Sequence, residues 1–139
     1  MPDATRVDLS KYRYQKAIEM LASAKRELAS NSYATANNRA YYSFEKSVKA
    51  LLALKKIDTK THSGVLQLFN KEYVHGGTYF THEDYIKFKD SEFIRSASDY
   101  DDFYVASKEE CLKMIENAEI MLGKVERYLQ KEGHLYQDE

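Results

Sequence analysis

The chain has 139 residues, of which 43% are hydrophobic and 31% are charged, and its formal net charge is −1. A disordered chain is excluded, because it would combine low hydrophobicity with a high net charge, and the length suits one domain. Five glycines and one proline leave few positions for turns, which argues against β-sandwiches and barrels.

We expect a cytoplasmic protein without a membrane segment. The single cysteine, Cys111, excludes an internal disulfide or a cysteine-rich zinc site and fits a reducing compartment. Residues 1–10 contain no apolar run typical of a secretory signal, and no stretch approaches the roughly 20 apolar residues that cross a bilayer. Residues 1–56 contain eleven Lys and Arg against five Asp and Glu, whereas residues 78–104 contain three against seven. The basic region could bind phosphates, and the acidic region could dock on a basic partner or on a second copy.

Two long helices are predicted first. Over about residues 9–29, apolar residues recur at steps of three and four and therefore lie on one face. A second apolar stripe predicts a helix over about residues 33–56, with Asn31 or Ser32 placed to cap it. Because the connection is very short, the two helices should form an antiparallel hairpin.

Shorter helices follow. Thr61 is placed to cap a helix over about residues 62–73, and Gly76 and Gly77 break the chain after it. A fourth helix is predicted to start after Thr81, where acidic residues favour the positive end of the helix dipole, and to fade near Tyr100.

The last helix is predicted to open at Ser107, with Glu110 completing a capping box, and residues 133–139 are expected to fray. No segment shows the alternation of a strand. The pattern therefore predicts an all-α fold, an up-and-down bundle of four to five helices. We expect a single domain over residues 1–139, with its core at about residues 10–130.

One segment, residues 93–104, combines an arginine with several tyrosines and aspartates. Arg95 precedes Tyr100 by five positions, Asp99 lies between them, and Tyr104 follows four positions later. A regular helix places Arg95 and Tyr100 about 140° apart, so we expect them to converge only if the helix loosens or a second subunit contributes its copy. The alternative interpretation is an ordinary Arg95–Asp99 ion pair at a helix end.

A second group lies on the second predicted helix, where Arg39 is followed by Tyr41 and Tyr42. An arginine one turn from a tyrosine can hold a phosphate through two hydrogen bonds while the ring stacks. In the alternative interpretation, a tyrosine fills core space and Arg39 pairs with an acid.

A third segment, residues 60–64, places His62 at a helix start, where free backbone N–H groups favour an anion. Capping by Thr61 and Ser63 alone also explains this segment, and we favour that interpretation. The sequence has no glycine-rich phosphate loop, no His-Glu-x-x-His and no nucleophile elbow, and no two histidines are spaced for a helical metal site. We therefore expect no metal and no other cofactor.

Together these segments resemble the HEPN family, the higher eukaryotes and prokaryotes nucleotide-binding domains, and especially its small single-domain bacterial and archaeal members. The family pattern of Arg-x-Tyr-Tyr, Lys-Thr-His and Arg-x-x-x-Asp-Tyr is matched in order by residues 39–42, 60–62 and 95–100. The likeness covers residues 10–130, roughly, and the order and spacing of the three motifs make it fairly specific.

The resemblance implies a bundle that commonly forms a homodimer through its long helices. Many family members are ribonucleases with an Arg-x(4–6)-His motif, whose two residues act on the 2′-OH and the scissile phosphate without a metal. Others are toxins with a minimal nucleotidyltransferase as antitoxin, and in one group this partner adenylylates a tyrosine after the motif. Arg95 and Tyr104 match that arginine and that tyrosine, but Tyr100 replaces the histidine.

The first hypothesis is a HEPN-type protein that binds a nucleotide or an RNA phosphate and works with a nucleotidyltransferase in a toxin–antitoxin or defence system. One alternative is a metal-independent endoribonuclease with a composite active site at a dimer seam, and another is a non-catalytic helical adaptor. Because a phenol is a poor base at neutral pH, the sequence leaves open whether the protein is an enzyme. The predicted site residues are Arg95 and Tyr100 as catalytic groups, Arg39, Tyr42, His62 and Asp99 as ligand-binding groups, and Tyr104 as the modification site.

Overall fold

The computed structural model describes residues 4–133, which form an all-α bundle without a strand, as predicted. Residues 134–139, most of the tail that was expected to fray, lie outside the described part. No helix in this part has both the length and the apolar character that a bilayer crossing demands. The elements are α1 (Ala4–Ala29), α2 (Tyr33–Leu54), α3 (His62–Phe69) continued by a π-helical segment (Asn70–His75), α4 (His82–Tyr100), and α5 (Lys108–Tyr128) continued by a second π-helical segment (Leu129–Gly133).

The first two helices form the predicted antiparallel hairpin. The Ser10 hydroxyl on α1 donates a hydrogen bond to the Ala50 carbonyl on α2 over 2.7 Å, and Ser43 on α2 donates to the Ala17 carbonyl on α1 over 2.7 Å. Because residue 10 faces residue 50 while residue 17 faces residue 43, the two helices run in opposite directions. Buried alanines along both helices allow this close approach.

Several helix boundaries differ from the predicted ones. Helix α1 begins at Ala4, several residues earlier than predicted. Helix α2 ends at Leu54, because Lys56 adopts a left-handed backbone with a φ of 59° and so closes the turn. The third helix is α-helical only to Phe69 and then becomes π-helical, whereas the predicted end of the fourth helix near Tyr100 is confirmed.

An aromatic core joins α2, α3 and α4. The Phe88 ring is fully buried and stacks on Phe44 with ring centroids 4.8 Å apart, and Phe69 meets it edge-on at 6.0 Å. The predicted apolar stripes of α1, α2 and α3 are buried or partly buried against this core. Helix α5 closes the bundle with its predicted apolar face, which runs from Cys111 to Val125.

Two helix starts are fixed by threonine caps. Thr61 accepts a hydrogen bond from the backbone N–H of Gly64 over 3.0 Å, which confirms the predicted cap of α3. Thr81 and Asp84 form a full capping box at α4, because each side chain accepts a hydrogen bond from the backbone N–H of the other residue. The start of α3 and the start of α4 are therefore both firmly placed.

Two other predicted caps are only partly correct. Ser107 accepts a hydrogen bond from the N–H of Glu110 over 3.1 Å, but the predicted capping box is wrong in its second half. The Glu110 carboxylate instead accepts hydrogen bonds from the Tyr104 hydroxyl and the Asn37 amide. Ser32 occupies the N-cap of α2 without a side-chain hydrogen bond.

Candidate functional site

Arg95 lies on the inner side of α4 and is only 4% exposed. Its guanidinium donates a hydrogen bond to Glu92, and it lies 3.5 Å from a carboxylate oxygen of Asp99. Burial lowers the pKa of Arg95, but the hydrogen bond and the charge of Glu92 outweigh this effect and raise the pKa above its ordinary value. The Arg95–Asp99 ion pair was anticipated, whereas Glu92 was missed, although a carboxylate at i−3 on a helix is a recognisable signal.

Two tyrosine rings lie beside the Arg95 guanidinium. Its central carbon is 5.2 Å from the ring centroid of Tyr41 and 5.7 Å from that of Tyr100. The expectation that Arg95 and Tyr100 need a loosened helix or a second subunit to converge is therefore wrong. Helix α4 stays helical through Tyr100, and side chains on a helix lean back toward its N-terminus, so the ring of this last residue reaches the turn before it.

Arg39 joins the same group through Asn38 and Asp99. Its guanidinium donates to the Asn38 side-chain oxygen over 2.7 Å, and the Asn38 amide donates to Asp99 over 3.0 Å. Since Asp99 also contacts Arg95, a continuous chain of polar contacts connects the two arginines. Both arginines therefore lie where the first half of α2 meets the end of α4.

His62, the first residue of α3, contacts three side chains of α2. Its Nδ1 lies 2.6 Å from a carboxylate oxygen of Glu45 and 3.1 Å from the Tyr41 hydroxyl, and its Nε2 lies 3.4 Å from the Tyr42 hydroxyl. Tyr41 also donates a hydrogen bond to Glu45 over 2.9 Å. Glu45 is 4% exposed and was missed in the sequence, where the signal is a carboxylate one turn after Tyr41 on the apolar helix α2.

The hydroxyls of Tyr41 and Tyr42 remain protonated at neutral pH. Burial, reinforced by the negative charge of Glu45, raises the pKa of Tyr41 far above its ordinary value. Burial also raises the pKa of Tyr42, although the nearby charge of Arg95 acts in the opposite direction. Both phenols are therefore hydrogen-bond donors in this site and not bases.

Tyr104 lies beside this group, in the connection between α4 and α5. Its hydroxyl donates a hydrogen bond to Glu110, and burial together with this carboxylate raises the pKa of Tyr104 to about 12. The Asn37 amide, which is buried, donates to Ser98 over 3.2 Å and lies 3.4 Å from Glu110. This second network connects α2, α4 and α5 next to the first one.

The structure brings six of the seven predicted site residues into one network of contacts and places Tyr104 next to it. Within residues 4–133, no three His, Cys, Asp or Glu side chains are grouped in a way that could hold a metal ion. We call the network the arginine cluster; it consists of Asn38, Arg39, Tyr41, Tyr42, Glu45, His62, Glu92, Arg95, Asp99 and Tyr100.

An exposed aromatic patch adjoins the arginine cluster on the outer side of α4. Phe93 is 71% exposed, Tyr100 76% and Phe103 92%. Together with Leu66 and Ala97 they line an open groove of about 810 Å³. Tyr100 belongs to both the patch and the cluster, so anything that covers the patch also covers one side of the cluster.

These elements define a class of protein: an all-α bundle that carries two arginines, a histidine and several tyrosines on one side. The HEPN domain family model matches residues 10–128 of this sequence, and the chain belongs to the HEPN family. The resemblance seen in the three sequence motifs is thereby confirmed.

Similar proteins cover nearly the whole chain. A protein named "Putative toxin MJ0142" from Methanocaldococcus jannaschii is 33% identical over 132 residues, which cover 89% of each chain. A "UPF0332 protein" from Thermotoga maritima is 32% identical over 120 residues, covering 86% of this chain and 89% of the relative. "Putative toxin MJ0605" from Methanocaldococcus jannaschii is 31% identical over 121 residues, covering 83% and 84%.

Proposed function

We propose that the protein is a cytoplasmic toxin-type HEPN protein that binds a nucleotide or an RNA phosphate at the arginine cluster. Two of its relatives carry the word toxin in their names, which supports the first part of the proposal. The observation that carries the second part is the chain of contacts from Arg39 through Asn38 and Asp99 to Arg95, beside the ring of Tyr100. Guanidinium groups and phenol rings together suit a phosphate and its base.

Asp99 is the group that a phosphate would replace. Both acidic side chains beside Arg95 are partly exposed, but the Asp99 carboxylate makes the longer contact, 3.5 Å, whereas Glu92 is hydrogen-bonded to the guanidinium. A phosphate in the position of the Asp99 carboxylate would accept hydrogen bonds from Arg95 and Asn38, with Arg39 close by. Asp99 then tunes affinity, because its negative charge competes with the ligand.

The experiment is a fluorescence anisotropy titration with a short labelled single-stranded RNA. Asp99→Asn should tighten binding and Arg39→Ala should weaken it, each by about tenfold, the effect expected for one charged hydrogen bond. Asp90→Asn is the matched control, since it removes the same charge from an exposed position of α4. The proposal is wrong if the wild type does not bind RNA or nucleotide, or if Asp99→Asn and Asp90→Asn behave alike.

The expected nucleotidyltransferase partner would act on Tyr104. The Tyr104 hydroxyl is half-buried and already donates its proton toward Glu110, so this carboxylate could accept the proton as the oxygen attacks the α-phosphorus of a nucleoside triphosphate and pyrophosphate leaves. Adenylylation would place a phosphate and a base beside the arginine cluster and would compete with its ligand.

Co-expression with a candidate nucleotidyltransferase followed by intact-mass measurement tests this step. One nucleotide should be added to the wild type and to Tyr100→Phe, but none to Tyr104→Phe. Modification that persists in Tyr104→Phe would assign the reaction to another residue.

The second candidate function is a metal-independent endoribonuclease. The observation that favours it is the Glu45–His62 pair, in which a buried carboxylate orients an imidazole 3.4 Å from the Tyr42 hydroxyl. His62 would take the proton of an RNA 2′-OH, the 2′ oxygen would attack the phosphorus, and Arg95 would stabilise the developing charge. The bond from phosphorus to the 5′ oxygen would then break, and this oxygen would leave with the proton returned by His62, which gives a 2′,3′-cyclic phosphate and a 5′-hydroxyl. In this scheme His62, and not Tyr100, takes the place of the missing motif histidine.

Incubation with structured and unstructured RNA in the presence of a chelator separates the two functions. Cleavage by the wild type that disappears in His62→Ala, with an unchanged melting temperature, would support the enzyme. An absence of cleavage in a preparation that binds RNA would leave the binding protein as the function.

A second copy of this chain would cover the exposed aromatic patch. The patch is apolar at Phe93 and Phe103 and carries acidic Asp101 and Asp102 on its rim, which suits a partner with the basic character of residues 1–56. Sedimentation of wild type and Phe93→Ser should show a dimer for the first and a monomer for the second. A monomeric wild type would contradict the proposed homodimer. A protein that neither binds nor cleaves RNA but still forms a complex through this patch would support the adaptor.

A further inference from the structure

A second cleft lies at the far end of α2, about 20 Å along the helix axis from the arginine cluster by the helical rise. Its volume is about 560 Å³, within the roughly 300–1,000 Å³ that small-molecule sites occupy. None of its wall residues belongs to the arginine cluster. We call it the aromatic cleft; its main wall residues are Lys55, Tyr73, Tyr79, Arg127, Tyr128 and Lys131.

Four aromatic rings in mutual contact form one wall of the aromatic cleft. Tyr73 and Phe80 are each 3% exposed and form its base, with ring centroids 5.9 Å apart. Tyr79, which is 38% exposed, and the half-buried Tyr128 continue this wall to the surface, with centroids 5.9 Å apart. Ring surfaces that reach solvent in this way can stack on a planar aromatic ligand.

Basic side chains outnumber acidic ones among the described residues around this wall. Lys55 lies 4.5 Å above the Tyr73 ring, donates a hydrogen bond to the backbone carbonyl of Glu72 over 2.9 Å and forms an ion pair with the Glu72 carboxylate over 3.4 Å, so its position is fixed and its charge is balanced by Glu72. Arg127 and Lys131 are exposed, and neither forms an ion pair with a described acidic side chain. Glu72 is the single acid among the described residues of the wall, so the cleft favours an anion.

The segment that carries two of the rings is held in place by α5. Lys124 forms an ion pair with Asp84, which is buried in the capping box at the start of α4. The same ammonium group lies 5.4 Å from the Tyr79 ring centroid and 5.6 Å from that of Phe80. The ring positions are therefore set without a ligand, which lowers the entropic cost of binding one.

The two π-helical segments of the described chain both border this cleft. Tyr73 lies on the first segment and Lys131 on the second. Such segments are rare and are often found at functional sites, because they displace side chains from their helical positions. A side chain at Gly76 or Gly77 would come within 2.8 Å and 2.9 Å of backbone carbonyls, so glycine is needed for the turn that leaves the cleft open.

We infer that the aromatic cleft binds a nucleoside polyphosphate, whose base stacks against Tyr79 and Tyr128 and whose phosphates contact Arg127 and Lys131. A nucleoside polyphosphate needs an aromatic surface for its base and cations for its phosphates, and this one cavity has both. Lys55 is paired with Glu72, so Arg127 and Lys131 supply the net positive charge of the described wall. This site is independent of the arginine cluster and of the function proposed for it.

Calorimetric titration of the intact protein with ADP tests the inference. The double variant Arg127→Ala/Lys131→Ala should bind ADP about 10- to 100-fold more weakly, as expected for the loss of charged hydrogen bonds. The double variant Lys108→Ala/Lys113→Ala is the matched control, since it removes the same charge from the opposite end of α5 and should bind as the wild type does. Tyr79→Leu should weaken ADP more than inorganic pyrophosphate, because only ADP has a base to stack.

Three outcomes would overturn the inference. Wild type that does not bind ADP excludes the site, and equal losses in the two double variants would reduce it to general charge attraction. If ADP affinity instead falls only in Arg39→Ala, ADP binds at the arginine cluster, which supports the proposed function and rejects the aromatic cleft. The RNA titration of Asp99→Asn and the ADP titration of Arg127→Ala/Lys131→Ala can therefore fail separately.

Discussion

The arginine cluster and the aromatic cleft, at opposite ends of α2, combine the same residue types in different ways. In both, a cation lies over a tyrosine ring: Arg95 over Tyr41 in the cluster and Lys55 over Tyr73 in the cleft. In the cluster the cation is buried and two carboxylates hold it. In the cleft, further cations such as Arg127 lie exposed at the rim, without an acidic partner among the described side chains.

This difference separates charges that maintain the fold from charges that are available to a ligand. A buried ion pair is costly to break, because the partner that remains is left with an unpaired charge, whereas an isolated surface charge contributes little to stability. The cluster is therefore a rigid site in which Asp99 competes with any anion. The cleft is an open site in which no described acidic side chain is paired with Arg127.

The sharpest test of this comparison replaces one arginine in each region. Arg95→Ala should lower the free energy of unfolding by about 2–3 kcal/mol, because it leaves Glu92 and Asp99 without their cation and removes packing on Tyr41. Arg127→Ala should change it by no more than about 0.5 kcal/mol, the usual range for an exposed position. Urea unfolding followed by circular dichroism measures both variants.

Equal losses of unfolding free energy in the two arginine variants would contradict the comparison, since they would mean that Arg127 is as firmly paired as Arg95. Arg95→Lys is a useful companion, because it keeps the charge but loses the planar fork that contacts two carboxylates at once. We expect its stability to fall between those of the wild type and Arg95→Ala.

A smaller effect is expected from the two threonine caps, one near each region. Thr81→Ala should cost about 1–2 kcal/mol, because the capping box loses the hydrogen bond from the Asp84 N–H to the Thr81 hydroxyl oxygen and with it part of the placement of Asp84, whose ion pair with Lys124 supports the aromatic cleft. Thr61→Ala, which removes a single cap beside His62, should cost about 1 kcal/mol or less. Urea unfolding of both variants decides the order, and a larger loss at Thr61 would contradict it.

The fold could be predicted because burial follows helical periodicity closely in this sequence. The stripe from Ala36 to Leu52 is buried along its whole length, and a run of that kind has one stable solution, a helix with that face inward. The change to π-helix after Phe69 could not be predicted, since no residue pattern in this sequence distinguishes that segment from a continued α-helix.

The arginine cluster was partly predictable for a different reason. Arg39, His62 and Arg95 lie in motifs that are recognisable along the chain, but their partners Glu45 and Asn38 are identified only once α2, α3 and α4 are packed together. A carboxylate one helical turn from a tyrosine is common, and the sequence does not tell which such pair is buried.

The aromatic cleft was missed altogether. Its residues come from four distant segments, around Lys55, Tyr73, Tyr79 and Arg127, and no local motif joins them. Along the chain each aromatic residue is indistinguishable from an ordinary core residue, and each cation from a solvated one. Only the packed bundle shows that they surround one cavity.

The smallest expected effect concerns the hydroxyl of Tyr104. At the border of the arginine cluster it donates to the carboxylate of Glu110, as Tyr41 donates to Glu45 within the cluster. In the aromatic cleft, the Tyr73 hydroxyl donates to the Leu51 backbone carbonyl instead. Tyr104→Phe should lower the free energy of unfolding by about 0.5–1 kcal/mol at neutral pH, through the loss of one hydrogen bond to Glu110.

That loss should shrink as the solution becomes alkaline. Tyr104 has a folded-state pKa of about 12, against an ordinary value of about 10, so between these values the unfolded chain releases a proton that the folded chain retains. The unfolded state of the wild type is thereby favoured, and the stabilisation that is fully present below about pH 10 disappears toward pH 12. Urea unfolding at about pH 8 and about pH 11 should show the wild type losing its advantage over Tyr104→Phe. If the difference in unfolding free energy between the wild type and Tyr104→Phe stays constant between these two pH values, the carboxylate of Glu110 does not hold the phenol proton. Pairing of a tyrosine hydroxyl with a carboxylate would then be confined to the buried cluster around Tyr41.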